Sequence, residues 1–283
     1  MEMSQNKTID DVRDFWEANP LFTGESEHEP ATKAFFDHHR QVVIDDCFAG
    51  ALPDHLFPSP QTNEHVLDLG CGPGMWSVEL QNRGAKHVSS ADLTEQAVQL
   101  VKKRAEIYGL TVEASQQNAE KLTYPDASFT HVNCQGVIHH TPDTESCVRE
   151  IARVLEPGGT AMISVYYRNL FIRMWPILRY GGWIVSKLGG GLKGRGREDI
   201  MNNSDVDEIV RLYDGAENPI GKSYSKQQFV DLLSPYFEID QIFYHFFPAR
   251  ALPFPIPLGL HKFLDKHAGF MIYARLTKRD ASQ

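Results

Sequence analysis

The chain has 283 residues, 42% hydrophobic and 23% charged, with 28 basic against 37 acidic side chains and a formal charge of −9. That composition excludes a disordered chain, leaves one large domain or two small ones open, and sets the average field against phosphate backbones, so no nucleic-acid partner is expected. Cys47, Cys71, Cys134 and Cys147 are widely spaced without a CxxC pair, and no charged-then-apolar leader opens the sequence; both features read as reduced and cytoplasmic.

The first 60 residues are acidic and helical in tone, with helices predicted over 10–15 and 33–48, before Pro53, Pro58 and Pro60 punctuate a linker. A β run at 65–69 leads through a glycine turn into a helix over 75–83. A second β run at 87–91 precedes a helix over 95–108. The alternation continues through a β run at 129–135, a helix at 144–155 and a β run at 160–166. Such alternation predicts a parallel sheet with helices on both faces.

After Tyr167 an apolar and glycine-rich insert begins, including Gly189-Gly190-Gly191 and Gly194-Arg195-Gly196. Between Arg168 and Arg197 it holds seven basic residues (168, 173, 179, 187, 193, 195 and 197) and no acid, interleaved with Phe171, Trp175, Tyr180 and Trp183. Three readings stand side by side: a lid over an anionic or lipophilic substrate, a patch in peripheral contact with a membrane, or a solvated basic face. Arg173, Pro176, Arg179 and Lys187 interrupt the run from 170 to 188, so it does not qualify as a membrane span. A helix over 225–233 and two late β runs, 237–246 and 269–276, complete the chain. The two runs are separated by a proline-rich stretch and a short helix over 260–266, and are expected to close the sheet as a reversed pair.

The informative turn is Asp68-Leu69-Gly70-Cys71-Gly72-Pro73-Gly74, directly after a β run and opening a helix. Glycines there let the backbone pass close under a ligand with its amides aimed at it. A dinucleotide fold calls for G-x-G-x-x-G, whereas this turn reads G-x-G-x-G, and a carboxylate at Asp68 suits the cationic amino end of a zwitterion better than a pyrophosphate. Asp92 ends the next β run, where a carboxylate accepts ribose hydroxyls. Asn118-Ala119-Glu120 follows at a loop suited to an adenine edge. Taken singly, the turn is equally a tight βα connection and Asp92 a helix-terminal carboxylate, with Thr94 the better cap.

Together these segments resemble the class I S-adenosylmethionine-dependent methyltransferases, in the small-molecule branch that includes the ubiquinone/menaquinone type. The resemblance rests on VLDLGCGPG at 66–74, ADLTEQAV at 91–98, QNAEKLTYPDASF at 117–129, GVIHHTPD at 136–143 and REIARVLEPGGTAMIS at 149–164. It implies S-adenosylmethionine as cofactor and an α/β fold, a Rossmann-like seven-stranded mostly parallel sheet with a reversed last strand. It also implies a helical N-terminal cap over 1–60 and a cofactor-binding domain over 61–283, with 168–222 as an insert or lid. By the same likeness Asp68, Gly70, Gly72 and Gly74 line the methionine end, Asp92 holds the ribose, Leu93 packs on the adenine, Asn118 and Ala119 bound its edge, and Gln135 faces the methionine moiety.

A sulfonium is an activated donor, so alignment and exclusion of water are the main demands on the protein. Where an acceptor must lose a proton, His139 and His140, just past the β run at 129–135, are the candidate bases; packing in the rim is the competing reading. Tyr166 and Tyr167 are candidates for substrate contact, as is Trp16 in the segment Phe15-Trp16-Glu17-Ala18-Asn19-Pro20, which with His38-His39 resembles a cap. Asp214, Asn218 and Tyr224 follow the insert as further candidates. No spacing of His, Cys and acid matches a zinc site.

Gln135-Gly136-Val137-Ile138 lacks the Asn/Asp-Pro-Pro-aromatic pattern of adenine amino methylation, and Cys134 is not followed by proline as cytosine-C5 chemistry requires. Arsenite methylation through Cys134 lacks a thiolate set. The expectation is a methyltransferase acting on a small molecule. A non-catalytic protein that keeps the adenosyl site as a sensor or scaffold is the alternative, and oligomeric state is open.

Overall fold

The computed structural model describes residues 7–180, 203–249, 252 and 254–279. The insert glycines, Trp183, Lys187, Lys193, Arg195 and Arg197 lie outside the described residues.

Helices α1 (Ile9–Ala18) and α2 (Lys33–Phe48) precede the sheet. Each begins where a threonine accepts a backbone N–H, Thr8 with Asp11 in a reciprocal capping box and Thr32 from Phe35. The alternating core follows as β1 (His65–Leu69), α3 (Met75–Asn82), β2 (His87–Asp92), α4 (Glu95–Tyr108), β3 (Glu113–Gln116), β4 (Phe129–Gln135), α5 (Thr144–Val154) and β5 (Leu155–Tyr167). Then come α6 (Leu170–Arg173), α7 (Val206–Tyr213), β6 (Ser223–Tyr224), α8 (Lys226–Leu233), β7 (Phe237–His245), α9 (Leu258–Ala268) and β8 (Met271–Lys278). The sequence reading counted a strand ahead of Asn118 without bounding it, where β3 lies, and missed α7 and the two-residue β6.

Strand order is β3-β2-β1-β4-β5-β8-β7, with β6 paired to β5 beside that path. Neighbours from β3 to β5 run parallel, and β8 is antiparallel to both β5 and β7. Only the last strand is therefore reversed. It lies inside the sheet, and β7 runs in the same direction as β5, which corrects the expectation of a reversed pair.

Period-two alternation sends β5 side chains to two cores. Ala161, Ile163 and Val165 join α5 and α8 in one apolar cluster, while Met162 and Tyr166 join Phe48, Leu80 and Tyr273 in the other. The chain order reverses between β1 and β4, and a crevice opens at that switch, beyond the carboxyl ends of the strands.

Two contacts fasten the N-terminal helices over this crevice. The Glu17 carboxylate of α1 accepts from the first backbone amides of α4, Glu95 N at 2.9 Å and Gln96 N at 3.1 Å, at the positive end of the helix dipole. Arg104 of α4, buried at 1% exposure, donates to the Phe36 carbonyl of α2 and the Pro73 carbonyl of the glycine turn, each at 3.2 Å. It also meets His39 Nδ1 at 3.3 Å. Burial and the neighbouring guanidinium push His39 down to about 3, leaving it neutral and able to accept.

Candidate active site

The glycine turn is held by the end of β2. Gly70 and Cys71 donate to the Ala91 carbonyl at 2.7 and 3.0 Å, and Gly72 N donates to Asp92 Oδ2 at 3.0 Å. Asp92 Oδ1 accepts from the amide and hydroxyl of Thr94. The carboxylate is thus fixed from behind while it borders the cleft, and burial pushes its carboxyl above the ordinary aspartate range. Gly74 has φ +76° and packs so closely on α4 that an added Cβ would lie 2.5 Å from Val101 Cγ2 and 3.0 Å from its Cα. Its smallness serves the joint between turn and helix.

Two adjoining cavities occupy the crevice. The first, about 140 Å³, is walled by Ile9, Val12, Asp92, Leu93, Asn118 and Ala119 among others. The second, about 270 Å³, is walled by aromatic and apolar side chains including Phe48, Trp76, Phe246, Met271 and Tyr273. Trp16, Gly70, Gly72, Gly136 and His140 border both. The described walls of the second cavity contain no Lys or Arg, only the acids Glu25, Asp46 and Asp214 with three histidines. An anionic acceptor, one of the sequence expectations, has no cation to meet among the described residues.

A polar chain runs from beneath the turn into the second cavity. Ser77 Oγ and Asn133 Nδ2 donate to Asp68 at 2.6 and 2.9 Å, and Gln135 Nε2 donates to Asn133 Oδ1 at 2.6 Å. Gln135 Oε1, buried at the cavity wall, has no hydrogen-bond partner. A buried acceptor without a donor at a cavity wall is placed to take one from a ligand. Asp68 itself borders neither cavity. Burial pushes it up to about 6, against the lowering by Ser77 and Asn133.

His140 Nδ1 sits 2.8 Å from the Ile220 carbonyl; the carbonyl only accepts, so Nδ1 carries the proton. Nε2 then faces Asp214 Oδ2 at 3.5 Å, and Tyr166 OH donates to the same carboxylate at 2.9 and 3.0 Å. His139 is fully buried, with Nδ1 lacking a partner. Desolvation, then His140, hold its pKa well below the ordinary histidine value, so it is unsuited to taking a proton near neutrality.

Of the sequence-predicted residues, Gly70, Gly72, Asp92, Leu93, Asn118, Ala119, Gln135, His139, His140, Trp16, Tyr166 and Asp214 come together at the two cavities. Asp68 and Gly74 lie behind the turn. Tyr167 points to the opposite side of the sheet, its ring 4.8 Å from Tyr244, because it follows Tyr166 on a strand. Tyr224 bonds Thr144 and Asn218 bonds the Arg211 carbonyl, both away from the cavities. Cys134 is a buried thiol in the sheet core, pushed well above the ordinary cysteine range. Among the described residues no cluster of three or more His, Cys, Asp or Glu is arranged to hold a metal ion. Sequence reasoning missed Arg104 and the capping role of Glu17; neither has a local motif, since Glu17 acts across 78 residues and Arg104 across 31 to 68.

Comparison with known proteins agrees with this geometry. A family described as "Methyltransferase domain" matches residues 67–163. The ubiquinone biosynthesis O-methyltransferase of Azoarcus sp. is 30% identical over 176 residues, 59% of this chain and 74% of that protein. The protein of the same name from Coxiella burnetii is 31% identical over 115 residues, 41% of this chain and 49% of that one, so the chain spans about half the length of those relatives. A solved S-adenosylmethionine-dependent methyltransferase from Methanosarcina mazei shares the fold, with a TM-score of 0.55 at 22% identity over 81% of this chain and 98% of that one. With a carboxylate at the end of β2 that holds the glycine turn beside the cleft, and with these relatives, the chain belongs to the class I S-adenosylmethionine-dependent methyltransferases.

Proposed function

We propose that the chain transfers the methyl group of S-adenosylmethionine to a hydroxyl of a small acceptor with a flat apolar body. The observation that carries this reading is the junction of the two cavities at Gly70, Gly72, Gly136 and His140, where an adenosine-sized cleft opens into an aromatic chamber. The O-methyltransferase names of the curated relatives support the choice of a hydroxyl.

S-adenosylmethionine, when bound, supplies a methyl group already activated on a sulfonium. Asp92 accepts the ribose hydroxyls, Leu93 and Ala119 flank the adenine, and Gln135 Oε1 accepts from the amino group. Trp16 and the rest of α1 close the cleft and keep water out. The aromatic walls bury the acceptor's apolar body, and His140 Nε2, with Asp214 beside it, receives the acceptor's proton.

Calorimetry with S-adenosylmethionine, S-adenosylhomocysteine and NAD tests the donor site; binding of the first two and not the third is expected. A panel of acceptors incubated with labelled donor and read by mass spectrometry tests transfer. Donor binding without transfer to any hydroxylated aromatic acceptor would favour a sensor or scaffold instead. His140→Ala is expected to lower kcat by about 10²-fold or more, the scale of a positioned proton acceptor, with donor affinity unchanged; wild-type turnover would remove His140 from that role.

A further inference from the structure

Helix α9 is built inside out. Its buried positions are His261, Asp265 and Ala268, and the first two satisfy neighbouring backbone and side chains. His261 Nε2 donates to the Phe247 carbonyl at 3.0 Å. Asp265 accepts from the amides of Phe246 and Phe247 at 2.7 and 3.3 Å, and from His245 Nδ1 at 2.6 Å. The outward positions carry Leu258 at 56%, Leu260 at 46% and Phe263 at 59% exposure, with Phe254 at 60% just ahead. A helix whose outer side meets only water shows the opposite arrangement.

The stretch from α6 onward repeats the pattern. Ile172 is buried with Tyr166 and Met271, two walls of the second cavity, while Leu170 at 66% and Ile177 at 69% stand outward. The two elements abut, because the Asn169 amide that caps α6 donates to the Ala268 and Gly269 carbonyls at the end of α9, at 2.9 and 3.2 Å. Ten of the eleven exposed large hydrophobic side chains among the described residues belong to these two stretches. So large a collection of outward apolar groups on one pair of elements marks a contact surface.

The charges around it select the partner. Between 168 and 180 there is no acid, and between 254 and 268 the only acid is Asp265, which is turned inward. Arg173, Lys262 and Lys266 are exposed beside the apolar groups, and none is in an ion pair among the described residues, in a chain of formal charge −9. We propose that this face docks on an anionic lipid bilayer, its Leu, Ile and Phe side chains entering the headgroup boundary and its Arg and Lys side chains meeting lipid phosphates. The acceptor chamber then lies one side chain behind the bilayer surface, through Ile172 and its neighbours.

The test sediments the full chain with vesicles of phosphatidylcholine alone and of phosphatidylcholine mixed with phosphatidylglycerol. Binding to the mixed vesicles that weakens with salt is expected. The pairs Leu258→Glu with Phe263→Glu, and Leu170→Glu with Ile177→Glu, should each reduce partitioning by about tenfold or more, while Lys262→Glu with Lys266→Glu should remove the preference for anionic lipid. S-adenosylmethionine affinity measured on the same samples should stay at the wild-type value, which shows intact folding and separates this proposal from the donor-site reading. Absence of wild-type binding to anionic vesicles, or unchanged binding in all three variants, overturns it. So does a concentration-dependent dimer abolished by the same substitutions, which would make this a self-association surface.

Discussion

At Asp92, three donors from the protein hold a carboxylate in place before any ligand arrives. Replacing it with alanine is expected to weaken S-adenosylmethionine binding by about 1–3 kcal/mol, the range for hydrogen bonds to a charged acceptor, as read by calorimetry. Asp68 offers a pH signature. Its folded pKa of about 6 exceeds the ordinary 3.8, so between these values the folded state holds the proton more tightly, and this group's contribution favours folding at lower pH. The stability of the unliganded protein relative to its Asp68→Asn variant should therefore rise by about 1 kcal/mol from pH 7 to pH 5, measured by urea unfolding at both pH values; no change would place the carboxyl in water. The glycine turn and Asp92 were legible in the sequence because each is a local pattern at a strand end. Asp68, expected at the methionine end, borders neither cavity, and β1 held the clue. Asp68 shares parity with Val66, and that side of the strand turns to α3, where Ser77 waits, whereas Leu69 reaches the cavity.

Among the elements, the joint between the turn and α4 depends on one missing side chain. Gly74→Ala combines a positive φ with a clash against the Val101 backbone, and should destabilise the fold by about 2–4 kcal/mol from strain and overpacking together. Denaturant midpoints check this; a loss below 1 kcal/mol would show that α4 simply moves away. Glu17→Ala removes the acceptor for two α4 amides and is expected to cost about 1 kcal/mol of stability and to weaken donor binding, since α1 closes the cleft. Equal donor affinity in the variant would mean that α1 stays shut without that anchor. Caps at Thr8, Thr32, Thr94 and Ser225 made the helix starts readable. β3 could not be bounded in the sequence because its four residues, Glu-Ala-Ser-Gln, carry neither alternation nor bulk; pairing with β2 decides it. Asp214, a candidate from the loop after the insert, reaches the chamber wall, although no local pattern encodes its partners His140 and Tyr166.

For the molecule as a whole, three buried histidines dominate the acid response. His39 and His131 fall to about 3 and His139 lies well below its ordinary 6.5, each chiefly through desolvation. The unfolded chain protonates them first, so their contribution is present above about pH 6.5 and is lost progressively as pH falls below that value. The raised carboxyls of Asp68 and Asp92 act in the opposite sense. Stability should decline steeply below pH 6, and a flat profile from pH 8 to 5 in equilibrium unfolding would contradict the burial of these rings.

The walls of the smaller cavity all come from residues 9 to 141, whereas those of the chamber are drawn from stretches as distant as Trp16 and Tyr273. On the proposed reading, substitutions beyond residue 141 reshape the acceptor chamber without touching the walls of the donor cleft.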